Sequence, residues 1–262
     1  MIISHKYRFI FIHCRKVAGS SIKTTLWPHL GEDDIVVGSI DEVLKNGFRL
    51  NRATKRALLD PRSLNVSRKA LFEYVRHGNS PRFRNHVSTA VKYKYRKSLY
   101  HNPVHSPAIN VKEAFPDEWK NYFKFCIVRN SYDQALSEFS YQTRKADGDV
   151  SFKHFLKALN GEVHDPLIVP SGLKDNWDLY TIDDKVAVER IGHYENLEED
   201  FAEICRELGV PVTEPLRKEK VGARKKDRQL YEWYDDENVR LVKNIYGKEI
   251  DYFNYPDPSR NS

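Results

Sequence analysis

The chain has 262 residues, 40% apolar and 31% charged, a balance that sustains a substantial core and excludes a disordered polymer. Its net charge of +6 conceals an asymmetry: between Lys45 and Lys97 fifteen Lys and Arg stand against two acids, Asp60 and Glu73, so the remainder of the chain is net acidic. The apolar runs Phe9–Ile12 and Phe123–Val128 fall far short of the ~20 residues of a membrane helix, and nothing after Met1 has the charged-then-apolar form of a signal sequence. The expectation is a chain with no membrane span that works in the cytoplasm, with the Golgi lumen as the alternative for a trimmed piece of a longer protein. Cys14, Cys126 and Cys205 lack CxxC or Cys/His ligand spacing, so neither a disulfide framework nor a metal site is expected.

In chain order, YRFIFIHC (Tyr7–Cys14) is an aromatic and β-branched run suited to a central strand. It passes through a small-residue turn at Ala18, Gly19 and Ser20 into a helical pattern with Ile22, Leu26 and Trp27 on one side. A short strand is expected at Asp34–Val37, and Ser39 with Glu42 has the spacing of a helix capping box. The basic stretch then reads as helices broken at Pro61, at Gly78–Pro81 and at Asn102-Pro103. YFKFCIV (Tyr122–Val128) is a second strong strand running into Arg129, Asn130 and Ser131, which can cap a helix bearing Tyr132, Leu136 and Phe139. Val186–Tyr194 reads as a further strand, Glu195–Leu208 as an amphipathic helix ended by Gly209 and Pro211, and Asp235–Tyr246 as a last helix. Strands alternating with helices predict an α/β fold, a mainly parallel sheet flanked by helices with ligands at the strands' carboxyl ends. We expect one domain over 1–262, with 45–100 a basic, helical insertion.

Two segments carry the chemistry. Arg15-Lys16-Val17-Ala18-Gly19-Ser20-Ser21 has the parts of an anion cradle: a glycine for close backbone approach, N–H groups at a helix start, two hydroxyls and a lysine. It is not a Walker A loop, which places Lys and Ser/Thr together after a second glycine. In the second segment Arg129 ends a strand, and Ser137 lies on about the third turn of the next helix. Both are placed to reach a second phosphate.

In these motifs the sequence resembles the carbohydrate sulfotransferases that use 3′-phosphoadenosine 5′-phosphosulfate (PAPS). FIHCRKVAGSSI is similar to their 5′-phosphosulfate loop, near FVHIPKTAGTSI, and FCIVRNSYDQALSEF to their 3′-phosphate element, FVRNPYDRLLSxY. VERIGHYENLEEDFAEICRELGVP and YDDENVRLVKNIYGKEIDYFNY extend the resemblance. Departures are Arg15 and Ser131 in place of proline, and Gln134 and His193 in place of arginine. The resemblance implies a P-loop-like strand-turn-helix that binds PAPS through Lys16, Ala18, Gly19, Ser20 and Ser21, with Lys16 at the leaving oxygen. It places Arg129 and Ser137 on the 3′-phosphate and the late segment Gly222, Arg224 and Lys225 over the donor. It implies O-sulfation of a hydroxyl acceptor, a carbohydrate, with an anionic one among the candidates, and His105 as base with His101 or a carboxylate as alternatives. His13 and His193 read as structural, Glu195, Asn196 and Leu197 as capping and packing residues, and Trp177 and Trp233 as core. Two other readings stand beside it: an ATP-dependent phosphoryl-transfer enzyme, and a polyanion or nucleic-acid-binding module built on 45–97, although no nucleic acid is expected as a partner of a sulfotransferase.

Overall fold

A computed structural model describes residues 1–145, 150–168, 175–217 and 229–261. In chain order its elements are β1 (Ile2–Ser4), β2 (Phe9–Ile12), α1 (Gly19–Leu26), β3 (Ile35–Val36), α2 (Ile40–Lys45), α3 (Arg52–Leu58), α4 (Leu64–His77), α5 (Pro81–Tyr95), α6 (Ala108–Ala114), α7 (Pro116–Asn121) and β4 (Phe123–Val128). There follow α8 (Ser131–Gln142), α9 (Phe152–Asn160), α10 (Trp177–Tyr180), β5 (Thr181–Ile182), β6 (Lys185–Val186), β7 (Arg190–His193), α11 (Leu197–Glu207) and α12 (Asp236–Phe253). They gather into two compact units, Met1–Ile127 with Leu179–Glu219, and Val128–Asp178 with Lys220–Ser262.

The first unit holds a five-stranded sheet in the order β3-β1-β2-β4-β7. Every side chain of β2 is buried, the pattern of a strand covered on both faces. β2 and β4 are parallel, with Ile12 opposite Cys126, and Phe11 stacks on Phe125 with ring centroids 5.0 Å apart. β1 runs antiparallel to both β2 and β3, so β2, β3 and β4 point one way and β1 opposes them. The α/β fold with a mostly parallel sheet is borne out, and β1 is the strand that sequence reading missed. The buried Asp34 carboxylate holds its turn, accepting from Ser4 Oγ at 2.6 Å, His5 N at 2.8 Å, Lys6 N at 3.1 Å and Gly31 N at 2.9 Å.

The basic stretch forms α3, α4 and α5, with breaks where proline and glycine stand. α5 starts cleanly: the Ser80 hydroxyl accepts from Phe83 N at 3.1 Å and Pro81 occupies the first turn, the position where a missing N–H costs least. It buries Val87, Ala90, Val91 and Tyr95. α4 packs on α5, α5 on α2 and α3, and α2 on α1.

Two local expectations need correction. Ser39 makes no capping bond to α2, because it lies in the left-handed region at φ 63°; its hydroxyl donates instead to Ser20 Oγ at 3.2 Å. Val186–Tyr194 is not one strand: β6 pairs with β5 in a separate ribbon, β7 joins the main sheet, and Tyr194–Asn196 forms a 3-10 turn before α11. Gly192 lets β7 approach closely, since a Cβ there would lie 2.6 Å from Ile127 Cδ1.

The second unit is built on α8, α9 and α12, which enclose Tyr132, Leu136, Phe155, Leu156, Leu241 and Val242. Asn130 caps α8 by accepting from Tyr132 N at 3.0 Å, and the Tyr234 hydroxyl donates to the Tyr132 carbonyl at 2.7 Å. Trp177 is buried and Trp233 packs against this core, as the sequence led us to expect.

Candidate functional site

The site in the first unit starts at the end of β2. The chain leaves Ile12, turns through Lys16 at φ 62° and Ala18 at φ 59°, and enters α1 at Gly19. Two non-glycine residues in the left-handed region cost conformational energy, a strain that clusters at ligand-binding turns. The turn exposes the start of α1: Ala18 has no side chain to cap it, and no acid stands in its first turn. The first-turn N–H groups of a helix find no carbonyl within it, and the helix dipole adds partial positive charge. Arg15, Lys16, Ala18 and Ser20 are partly exposed there, while Gly19 and Ser21 are buried. This backbone suits an anionic oxygen cluster such as a phosphate or sulfate.

Beneath the turn lies a buried polar cluster. The Lys23 side chain, fully buried, bonds the Val37 carbonyl and His13 Nδ1, both at 2.9 Å. An ammonium only donates, so His13 Nδ1 accepts and the ring proton sits on Nε2. His13 Nε2 lies 1.7 Å from where a Cβ on residue 19 would be, so residue 19 must be glycine and the Nε2–H faces the opening of α1. The His13 carbonyl lies 2.8 Å from His105 Nδ1. That bond puts the His105 proton on Nδ1 and leaves Nε2 as the ring's basic nitrogen. The two imidazoles are 4.5 Å apart between centroids. Burial pushes the His105 pKa down to about 3; the His13 carbonyl opposes the shift, and the Lys23 and Arg15 charges add to it. On one side Ser20 Oγ meets Ser39 Oγ at 3.2 Å and the buried Glu42 at 3.5 Å.

Sequence reading placed Lys16, Ala18, Gly19, Ser20, Ser21 and His105 in the site, and the fold gathers them around this turn. It missed Lys23, whose signal was a lysine on the face of α1 that buries Gly19, Ile22 and Leu26. His13, read from the sequence as a core or supporting histidine, is buried beneath the turn. His101 is exposed and lies against the Tyr100 ring, 3.9 Å between centroids.

Arg129 and Ser137 belong to the second unit. Arg129 follows β4 and is 8% exposed; its Nε donates to Asp133 Oδ2 at 2.7 Å and a second guanidinium nitrogen to the same oxygen at 2.5 Å. Asp133 thus fixes the guanidinium's direction. Ser137 is half-buried two turns along α8. Gly222, Arg224 and Lys225 lie outside the described residues. The backbone N–H of His193 donates to Asp200 Oδ2 at 2.5 Å.

No solved structure matches the chain. Over 91 residues it is 35% identical to an uncharacterized protein of Archaeoglobus fulgidus, a stretch that covers 34% of this chain and 70% of that protein. The sulfotransferase family matches residues 1–256, and with nearly the whole chain matched, the protein belongs to the sulfotransferase family, transferases that move a sulfuryl group.

Proposed function

We propose that residues 1–262 act as one cytoplasmic PAPS-dependent O-sulfotransferase domain whose acceptor hydroxyl belongs to a carbohydrate. The observation that carries this reading is the uncapped start of α1, framed by Lys16 and by the His13 Nε2–H. PAPS, when bound, supplies the sulfuryl group and leaves as 3′-phosphoadenosine 5′-phosphate. Backbone N–H groups of Ala18 to Ser21, with the Ser20 and Ser21 hydroxyls, would hold the 5′-phosphosulfate. Lys16 would neutralise the charge that grows on the departing oxygen, and losing such a preorganised cation costs on the order of 10²–10³ in rate. Arg129, aimed by Asp133, and Ser137 would bind the 3′-phosphate, and Gly222, Arg224 and Lys225 would close over the donor.

His105 Nε2 would take the acceptor's proton. An imidazole with a pKa of about 3 is neutral at pH 7 but a weak base; an anion in the cradle would oppose the Lys23 and Arg15 charges, which depress that pKa less than burial does. The basic segment 45–100, an insertion beside the sheet, has the charge to attract an anionic glycan.

The test is calorimetric titration with 3′-phosphoadenosine 5′-phosphate beside AMP, ADP and ATP, on wild type, Lys16→Ala and Arg129→Ala. We expect selective binding of the 3′-phosphorylated nucleotide by wild type, loss of that selectivity in Arg129→Ala, and a folded Lys16→Ala protein that has lost most turnover. Equal or tighter binding of ATP would overturn the reading.

A further inference from the structure

We propose that the outer face of α4 docks the protein on the surface of an anionic lipid bilayer. Within its 14 residues α4 buries only Ala70, which lies on the side that packs against α5. On the opposite side Leu64, Leu71, Phe72 and Val75 are 45%, 65%, 64% and 79% exposed. Their spacing of i, i+7, i+8 and i+11 puts them on one stripe of the helix. Scattered exposed apolar residues need no explanation, but a contiguous stripe of large ones marks an interaction surface.

The cations around the stripe say what it meets. Arg68 lies within it and Lys69 and Arg76 along one flank, all three exposed. Neighbouring basic residues have carboxylate partners: Arg52 and Arg56 share Asp33, Arg62 holds Asp60, and Arg84 holds Asp41. For Arg68, Lys69 and Arg76 no carboxylate partner is found among the described residues, and the Arg76 guanidinium lies 5.9 Å over the Phe72 ring.

Three occupants can be weighed on charge and chemistry. A second copy would bring like charges face to face across the same stripe, inside a segment with thirteen excess positive charges. A nucleic acid would use the cations but has no use for exposed Leu and Val, since bases stack on aromatic rings. An anionic bilayer uses both: leucine, phenylalanine and valine enter the boundary of the acyl chains, while Arg and Lys stay at headgroup level. Because the helix lies on the surface and does not span, its modest length is no obstacle. The proposal is independent of the sulfuryl-transfer chemistry.

The full chain would be sedimented with phosphatidylcholine vesicles containing or lacking phosphatidylserine, at physiological ionic strength. We expect at least a tenfold preference for the phosphatidylserine vesicles. Leu71→Ser/Phe72→Ser/Val75→Ser should weaken that binding more than tenfold, and each of Arg68→Gln, Lys69→Gln and Arg76→Gln by about fivefold. These side chains are exposed, so the variants should fold; unchanged melting temperatures would verify it. As a second readout, Phe72→Trp should add a fluorescence component that shifts to the blue with vesicles. Absence of binding to the anionic vesicles, or binding that ignores the apolar triple substitution, would overturn the proposal. So would a dimer, seen by sedimentation equilibrium, that the apolar substitution abolishes while vesicle binding persists.

Discussion

His105 is held neutral by its surroundings, and that has a consequence for acid stability. Its folded pKa of about 3 lies below the ordinary value of 6.5, so between those values the unfolded chain binds a proton that the folded chain does not. Stability from this residue is complete above pH 6.5 and is lost as pH falls toward 3, by about 1.4 kcal/mol per pH unit at most. We expect His105→Gln to flatten the fall of thermal stability between pH 6 and 4, measured by circular dichroism; an unchanged slope would show that His105 does not titrate in this way. Lys23→Met provides a separate check, because it removes one of the charges that depress His105. The His105 resonance should then titrate at a higher pH by NMR. Of this cluster, sequence reading reached the turn, because small residues, hydroxyls and a basic residue after a strand are visible in one dimension, whereas His105 came only through the family resemblance. Lys23 was out of reach as a site residue: its role depends on being folded under the turn, against His13 and Val37.

At the scale of elements, β1 shows what short strands lack. Three residues, Ile2, Ile3 and Ser4, are too few to display an alternation, and the strand's place comes from Asp34, far away in the chain, which collects four donors around the turn after it. Removing that carboxylate leaves the buried Ser4 hydroxyl and three partly buried backbone N–H groups without their acceptor, and an unsatisfied buried donor costs about 1–3 kcal/mol. Asp34→Ala should therefore destabilise by about 3 kcal/mol or more in urea denaturation, and a loss below about 1 kcal/mol would mean that the turn is held elsewhere. β2 with α1 and β4 with α8 were legible because strand, turn and cap signals follow each other without interruption. Ser39 misled for a physical reason: S-x-x-E spacing gives a capping box only when the serine is extended, and its φ of 63° turns the hydroxyl toward Ser20. The long run to Tyr194 misled because it is interrupted between Val186 and Arg190 and ends in the turn at Tyr194, which composition alone does not reveal.

At the scale of the molecule, charge and chain path are both uneven. Positive charge is concentrated in 45–97, where α4 displays it outward, while the turn at the start of α1 has a few cations close at hand; at physiological salt the Debye length is about 8 Å, so the two act separately except at short range. The second unit is assembled from two stretches of chain separated by residues of the first, and α12 completes the core around α8, the helix that follows Arg129 and carries Ser137. Leu241, fully buried in that core, should cost about 2–5 kcal/mol when truncated to alanine. If Arg129 and Ser137 bind the donor's 3′-phosphate, 3′-phosphoadenosine 5′-phosphate at about 100 times its Kd should restore roughly 2.7 kcal/mol to Leu241→Ala, as it does to wild type, because the ligand binds only the folded form. Arg129→Ala, at the same nucleotide concentration, should gain much less. Paired thermal melts with and without the nucleotide distinguish these cases: equal rescue of all three proteins would separate the second unit from donor binding, whereas rescue of Leu241→Ala without Arg129→Ala would tie the guanidinium, and not the packing around it, to the 3′-phosphate.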